Sequence, residues 1–200
     1  AYRAVDSPLE LTSFFERYGP CVVKPRGGAG SAGVAVLSDR RSLDRYIAQT
    51  SRNLDTPPRL LAEEYVDSPM IVIDGITDGA DLLVWTASLH RGSCLDVVRT
   101  NSPVAVVHID DDHPLAQTGV QYCRELIRVL PSPDCPVSFH CELFMDPRTG
   151  PRLCEIASRT GGSGVRWAFQ QRTGVDLDEA ACRGQAGLGF RPPPSERSAF

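Results

Sequence analysis

Two glutamates in the C-terminal half of the sequence are the residues whose spacing best predicts chemistry. Residues 140–164, HCELFMDPRTGPRLCEIASRTGGSG, predict a β-hairpin in which a turn-rich segment joins two strands. If Asp146 and Pro151 close a loop of about four residues, Glu142 lies directly opposite Glu155. Paired carboxylates are about 5 Å apart at Cβ, and they repel unless they are solvated, one is protonated or a cation lies between them. Oxygen ligands of this kind suit Mg²⁺, with Mn²⁺ as a substitute.

The same hairpin predicts one further charged group and a separate apolar face. Arg159 has the same parity as Glu155, so it projects on the same face about 13 Å along if the strand continues. The opposite face carries side chains that can pack on a core, namely Cys141, Leu143, Cys154 and Ile156. The alternative is an antiparallel pair with a solvated outer face, in which the two glutamates have no functional role.

A lysine followed by a glycine-rich segment, CVVKPRGGAGSAGVAVL (21–37), predicts a phosphate-binding flap. Gly28, Gly30 and Gly33 match G-x-G-x-x-G, but the following residues favour a strand, whereas a dinucleotide site needs a helix there. Strand, glycine loop and strand together are typical of a flap over nucleotide phosphates, and Lys24 can reach the same phosphates. The alternative is a glycine-rich hairpin with a surface lysine.

The composition excludes several classes of protein. The 200 residues are 42% hydrophobic and 23% charged, which is ordinary for a globular chain of one or two domains. A net charge of −4 gives no basic field for nucleic acid or membrane surfaces, and no apolar run reaches the roughly 20 residues of a membrane span. The seven cysteines form no CxxC and no zinc spacing, which favours reduced thiols and a cytoplasmic location.

Periodicity and turn signals predict a mixed order of helices and strands. Helices are predicted at 8–18, from Ser38 or Ser42 to about Gln49, and at 113–130, 163–172 and 176–187. Strands are predicted at 20–24, 34–37, 60–66, 70–73, 81–90, 94–99 and 104–109, besides the hairpin at 137–157, with a turn at 76–80. The polar loop 51–59 is the predicted boundary between a small subdomain (1–59) and a large one (60–190), and 191–200 is predicted to be a disordered tail.

Four segments in this order resemble the ATP-grasp superfamily, specifically the C-terminal, ATP-grasp portion of its carboxylate–amine ligase branch. They are CVVKPRGGAGSAGVAVL (21–37), LLAEEYVDSP (60–69), HCELFMD (140–146) and RLCEIASRTGGSG (152–164). The resemblance spans roughly residues 1–190 and implies an α+β fold, in which two α+β subdomains with antiparallel sheets hold a nucleotide between them.

The resemblance also implies roles for particular residues. Lys24 and Arg159 would balance charge during phosphoryl transfer, and Glu142 and Glu155 would hold Mg²⁺. The loop over the phosphates would supply backbone N–H groups, and the segment at 63–66 would pair its main chain with adenine. The nucleotide-binding set is Lys24, Gly27, Gly28, Ala29, Gly30, Ser31, Glu63, Glu64, Tyr65, Val66 and Phe144, and Gly161–Ser163 would approach the carboxylate substrate.

Three departures from the family pattern qualify the resemblance. Ala157 stands where the family usually has an asparagine, so Mg²⁺ is expected to depend more on phosphates and water. The position at which the family commonly has a ribose-binding acidic residue corresponds to Met70. Asp74 is a nearby candidate for the ribose contact, although it is out of register with the family pattern. The N-terminal domain of such ligases has no counterpart in the sequence, so a missing domain or a homodimer is expected. The four histidines are expected to be structural, although His140 shares the face of the glutamates.

The activity implied is ATP-dependent ligation of small molecules. A carboxylate substrate would be activated as an acyl-phosphate, and an amine or amino acid would then form an amide, with release of ADP and phosphate. One alternative is a non-catalytic nucleotide-binding ATP-grasp remnant or partner module. Another is a plain antiparallel α+β protein without a nucleotide site.

Overall fold

The chain folds into two compact units, each built on its own antiparallel sheet. The computed structural model describes residues 1–28, 30–52, 59–92, 103–162 and 164–192. One unit comprises residues 1–67 and 92–103, and the other comprises residues 68–91 and 104–200. This organisation confirms the α+β class with antiparallel sheets. The predicted strand at 94–99 and all but two residues of the predicted tail at 191–200 lie outside the described residues.

The first unit is a four-stranded sheet packed against two helices. Its strand order is β1-β4-β2-β3. The elements are β1 (Tyr2–Val5), α1 (Pro8–Tyr18), β2 (Cys21–Pro25), β3 (Ala35–Leu37), α2 (Arg40–Arg52) and β4 (Leu60–Glu64). Because side chains alternate between the two faces of a strand, every second residue of β2 and β4 points into one core, where it packs against apolar residues of the helices. The strand residues are Cys21, Val23, Leu60 and Ala62, and the helix residues are Leu11, Phe14 and Leu43. The opposite face of β2 and β4 carries Val22, Lys24, Leu61 and Glu63.

Local signals explain the first helix. The Ser7 hydroxyl accepts a hydrogen bond from the Glu10 amide (3.3 Å), and the Glu10 carboxylate accepts one from the Asp6 amide (2.8 Å). Pro8 occupies the first turn, where its missing N–H costs nothing. Gly19 ends the helix with φ of +77°. The sequence therefore predicted both ends of α1 correctly.

The second unit is a five-stranded sheet of order β7-β6-β5-β8-β9. The elements are β5 (Met70–Thr77), β6 (Leu82–Arg91), β7 (Ala105–Ile109), α3 (Pro114–Val129), β8 (Val137–Asp146), β9 (Gly150–Ala157), α4 (Val165–Thr173) and α5 (Leu177–Gln185). α3 packs on one face, where Ile71, Ile73, Ala87, Val120, Cys123, Cys141 and Leu143 form the core. On the other face α4 and α5 cover the end that carries Ile76 and Val84. The rest of that face carries the candidate site.

Two of the differences between the predicted and the observed boundaries have an explanation in packing or strand pairing. β5 runs to Thr77, whereas the sequence predicted a strand ending at Ile73 because Asp74 and Gly75 resemble turn residues. A Cβ at Gly75 would collide with the Val84 carbonyl oxygen and lie 2.9 Å from the Phe139 ring, so packing explains the glycine. β4 pairs with β1 and β2 and belongs to the first unit. The boundary predicted between residues 59 and 60 would instead separate β4 from these two strands.

Three further observations concern β1, the helices and the cysteines. β1 was not predicted, because four residues at a sheet edge carry too weak a pattern to be recognised. Within the described part of the chain, no helix combines the length and the apolar composition needed to cross a bilayer. The six described cysteines are free thiols: Cys21, Cys123, Cys135, Cys141, Cys154 and Cys182.

Candidate functional site

Glu142 and Glu155 occupy directly paired positions on β8 and β9, as the sequence predicted. The route to this pairing differs from the expected one. The turn contains three residues, because Asp146 pairs with Gly150 and not with Pro151 as predicted. Near the turn, the strand pairing is therefore shifted by one residue from the predicted register. A β-bulge between Glu142 and Leu143 restores the alignment, because β9 contains one extra residue there. The two carboxylates therefore share one face of the sheet.

A buried histidine links Glu142 to a third carboxylate. Asp74 on β5 is paired with His140 on β8, and their side chains are joined by a hydrogen bond of 2.7 Å between Oδ1 and Nδ1. The other ring nitrogen of His140, Nε2, lies 3.3 Å from Oε1 of Glu142. Asp74 is 1% exposed and His140 7% exposed. Asp74, His140 and Glu142 thus form a continuous row across two neighbouring strands.

The charges in this row stabilise one another. Burial by itself lowers the pKa of His140, but the hydrogen bonds to Asp74 and Glu142 outweigh it and raise the pKa to about 9. Burial raises the pKa of Glu142, but the imidazolium of His140 outweighs this and leaves the pKa below its usual value. His140 is therefore a cation at neutral pH, and Glu142 is an anion.

The site chemistry fits a hard divalent cation that shares its coordination with phosphate. Glu142 and Glu155 present carboxylate oxygens from paired positions, with 19% and 46% of their side chains exposed. Two carboxylates completed by phosphates and water are a typical Mg²⁺ arrangement. Among the described residues, no group of three or more His, Cys, Asp or Glu side chains forms a complete metal cage.

Arg159 lies near the glutamates, but not where an extended strand would place it. β9 ends at Ala157, so the continuing strand on which the expected spacing of about 13 Å depends is not present. The Arg159 side chain turns back, and its Nη2 lies 3.5 Å from Oε1 of Glu155. Its Nη1 donates to the Thr160 carbonyl oxygen (3.1 Å). The guanidinium is half exposed and remains accessible to an anion.

Gly161 packs directly on the buried row. A Cβ at this position would lie 2.6 Å from Nδ1 of His140 and 3.0 Å from Oδ1 of Asp74, closer than real Cβ contacts. The preceding residue, Thr160, donates a hydrogen bond to Asp178 in the first turn of α5 (2.5 Å). The segment expected to approach the carboxylate substrate is thus fixed against His140, and Ser163 of that segment lies outside the described residues.

Replacing Gly161 by alanine is expected to destabilise the fold by about 1–3 kcal/mol, because the added methyl group overpacks His140 and Asp74. The neighbouring substitution Gly162→Ala is the matched control, since a Cβ there meets nothing within 4 Å. Urea denaturation of both variants measures the difference. Equal free energies of unfolding for the two variants would contradict the close approach.

In the first unit, Lys24 projects from the face of β2 opposite the core. Its Nζ lies 2.9 Å from Oε2 of Glu63 on β4. Both side chains are about one-quarter exposed, so the ammonium is accessible although it is paired. The antiparallel pairing of β2 with β3 confirms the predicted strand, glycine loop and strand, while Ala29 lies outside the described residues. Gly30, Ser31 and Gly33 adopt positive φ values of 59°, 60° and 74°.

The predicted adenine-binding segment begins inside the sheet. Glu63 is paired with residues of both β1 and β2, and Glu64 is the last residue of β4. The Tyr65 amide donates to the Pro20 carbonyl oxygen (2.9 Å), so that donor is used within the unit. Val66 follows the strand. Phe144 in the second unit lies on the same face as Glu142, two residues further along β8.

Sequence reasoning missed the role of Asp74 and misjudged its surroundings. Asp74 was considered as a ribose ligand, but its carboxylate is buried against His140. The pairing joins residues 66 positions apart, and no local pattern reports such a contact. An acidic residue beside glycine in an otherwise apolar run was the available signal, because a carboxylate enters a core only when it is paired.

Comparison of structures finds ligases of similar architecture. Carboxyaminoimidazole ribonucleotide synthase from Aspergillus clavatus, complexed with ATP, matches with a TM-score of 0.71 and 16% identity over 98% of this chain and 48% of its own. An L-amino acid ligase from Bacillus licheniformis matches with 0.69 and 18% identity, over 96% of this chain and 46% of its own.

A third similar structure is an ATP-grasp ligase complexed with a precursor variant, Mg and ADP. It matches with a TM-score of 0.55 and 14% identity, over 94% of this chain and 52% of its own. The sequence matches no protein-family model and no curated protein. The chain spans about half the length of the solved structures that it resembles.

Proposed function

Because the chain has the ATP-grasp fold, we propose that it is the nucleotide-binding part of an ATP-dependent carboxylate–amine ligase. The observation that carries this proposal is the pairing of Glu142 with Glu155 on a solvent-accessible face of the second sheet. Repulsion between paired carboxylates is unfavourable in a sheet unless a cation or water relieves it. Magnesium-bound triphosphate supplies that cation.

Each unit carries residues to which the proposal assigns a role. In the second unit Glu142 and Glu155 hold Mg²⁺, Phe144 contacts the nucleotide and Arg159 faces the transferring phosphate. In the first unit Lys24 binds phosphate, and the loop at 27–31 covers the phosphates with its backbone N–H groups. The segment at 63–66 contacts the adenine ring. When bound, Mg²⁺ neutralises phosphate charge.

The proposed reaction consists of two transfers. A carboxylate oxygen of the substrate attacks the γ-phosphorus of ATP, the bond to the bridging oxygen breaks, and ADP leaves. An amine then attacks the carbonyl carbon of the acyl-phosphate, the bond from that carbon to the phosphate oxygen breaks, and phosphate leaves with the bonding electrons and takes up the proton that the amine nitrogen loses as the amide forms. Arg159 and Lys24 stabilise negative charge on the phosphoryl oxygens, and closure of the glycine loop excludes water.

Binding of Mg·ATP to the full chain tests the proposal directly. A single site at one hundred times its dissociation constant stabilises the folded state by about 2.7 kcal/mol, which thermal unfolding detects. ADP formation in the presence of mixed amino acids then tests turnover. No thermal shift at millimolar Mg·ATP would contradict the nucleotide site, and the chain would then be an α+β protein of another function.

Replacing Lys24 by alanine is expected to weaken ATP binding about tenfold or more, because a charge-assisted bond to phosphate contributes about 1.5–3 kcal/mol. Arg41→Ala is the control, since Arg41 is an exposed cation on α2 of the same unit. Titration calorimetry with ATP measures both variants. Equal affinities would remove Lys24 from the proposed site.

A second candidate function is nucleotide binding without ligation. Ala157 offers no polar atom where the ligase pattern has an asparagine. Binding of Mg·ATP without ADP formation, measured in the complete native protein, would favour this function over the ligase.

A further inference from the structure

We propose that His140 and Asp74 are positioning residues that hold the Glu142 carboxylate in the orientation the metal requires. This inference rests on the proposed function, since it concerns the same magnesium site. It gives a role to Asp74 and His140, which take no part in the proposed phosphoryl transfer or in the proposed nucleotide contacts. Ligand carboxylates at metal sites are commonly held by a second hydrogen-bonding partner, and the loss of that partner weakens metal binding.

The geometry fixes the imidazole ring from both sides. Oδ1 of Asp74 lies 2.7 Å from Nδ1, and Oε1 of Glu142 lies 3.3 Å from Nε2. The strands set these contacts, because Asp74 and His140 are paired across β5 and β8, while Glu142 follows His140 by two residues on the same face. A ring bonded at both nitrogens cannot rotate, so the Glu142 carboxylate has a fixed partner.

The small residues Gly161 and Ala157 leave space for the His140 ring. Gly161 approaches so closely that a Cβ would lie 2.6 Å from Nδ1. Ala157 is paired with His140 across β8 and β9, and its small side chain offers no competing polar group on that face. The histidine is therefore enclosed by Asp74, Glu142, a glycine and an alanine.

The two proposed metal ligands differ in how they are held. The Glu142 side chain is 19% exposed and contacts His140, whereas Glu155 is 46% exposed and lies 3.5 Å from the half-exposed Arg159. Glu142 is thus oriented before a metal arrives, and Glu155 is comparatively free to adjust. A general-base role for His140 does not fit this geometry, because both ring nitrogens face carboxylate oxygens.

The test compares ADP affinity in Mg²⁺ and in EDTA, using the full chain and titration calorimetry. The ratio of the two dissociation constants measures the contribution of the metal. His140→Gln is expected to reduce this ratio about 10- to 100-fold while ADP affinity in EDTA stays within twofold. His108→Gln is the matched control, because His108 lies on the same sheet face but contacts the Ser88 hydroxyl (2.9 Å) and is expected to keep the ratio.

A second variant keeps the test decisive if His140→Gln fails to fold. Asp74→Asn retains an acceptor for Nδ1 but loses the charge that holds the ring, so the ratio is expected to fall at least threefold. A folded variant with an unchanged ratio would overturn the positioning role. A wild-type chain whose ADP affinity does not respond to Mg²⁺ would instead overturn the proposed function.

Discussion

Replacing Glu155 by glutamine is expected to reduce Mg²⁺-dependent ADP formation at least 100-fold and to leave the fold intact. The substitution preserves shape but removes one of the two charges facing the metal. The side chain is 46% exposed, and its described partner is the half-exposed Arg159 at 3.5 Å, so little folding energy depends on it. Coupled measurement of ADP release, with a urea denaturation curve beside it, separates loss of chemistry from loss of structure.

Glu125→Gln is the control for this prediction. Glu125 is an exposed carboxylate on α3 that accepts a hydrogen bond from Gln121 (3.0 Å), and its neutralisation changes net charge by the same amount. It is expected to leave ADP release unchanged. Full activity of the Glu155→Gln variant would refute the metal assignment, and loss of activity in both variants would point to a general charge effect.

The free energy of unfolding is expected to fall by about 3 kcal/mol as the pH rises from about 6.5 to 9, measured in EDTA. The pKa of His140 is raised to about 9 in the folded chain, against 6.5 without its partners. Its stabilising contribution is therefore complete below pH 6.5 and is lost as the pH passes through 9. Each pKa unit corresponds to about 1.4 kcal/mol. Chemical denaturation at a series of pH values measures this curve.

Two variants isolate the contribution of His140 to that curve. The titratable groups whose charges interact with this imidazole are Asp74, Glu142 and the half-buried His90. His140→Gln is expected to flatten the decline, and it lowers stability at pH 6.5 because Asp74 stays buried without a cationic partner. His108→Gln is expected to retain the decline. A decline of equal size in the His140→Gln chain would assign it to other groups.

The sequence predicted those features that depend on neighbouring residues. Helix α1 could be located from Ser7, Pro8 and Gly19, because caps and breakers act within a single turn. The antiparallel strands around the glycine loop were likewise visible in a short window. The shared face of Glu142 and Glu155 was predicted from strand alternation and an assumed four-residue turn, and the pairing holds because the β-bulge offsets the three-residue turn that is present.

Features that depend on distant residues were not predictable. The row from Asp74 to Glu142 requires knowing that β5 pairs with β8, more than sixty residues away. Gly75 resembled a turn signal, although its true constraint is the Phe139 ring on a neighbouring strand. Arg159 depended on where β9 ends, and strand ends are set by the loop that follows.

The irregularity between Glu142 and Leu143 divides the hairpin into two segments with different alignments. Between the turn and Leu143 the two strands keep one register. From Glu142 to His140 they keep a second register, which is shifted by one residue. The alignment of the two acids therefore depends on the bulge as well as on the turn. A chain that lost the extra residue of β9 at this point would have an unbroken ladder, the same three-residue turn, and both acids still opposite each other. What it would lack is the local kink and the added right-handed twist that a bulge introduces between two strands.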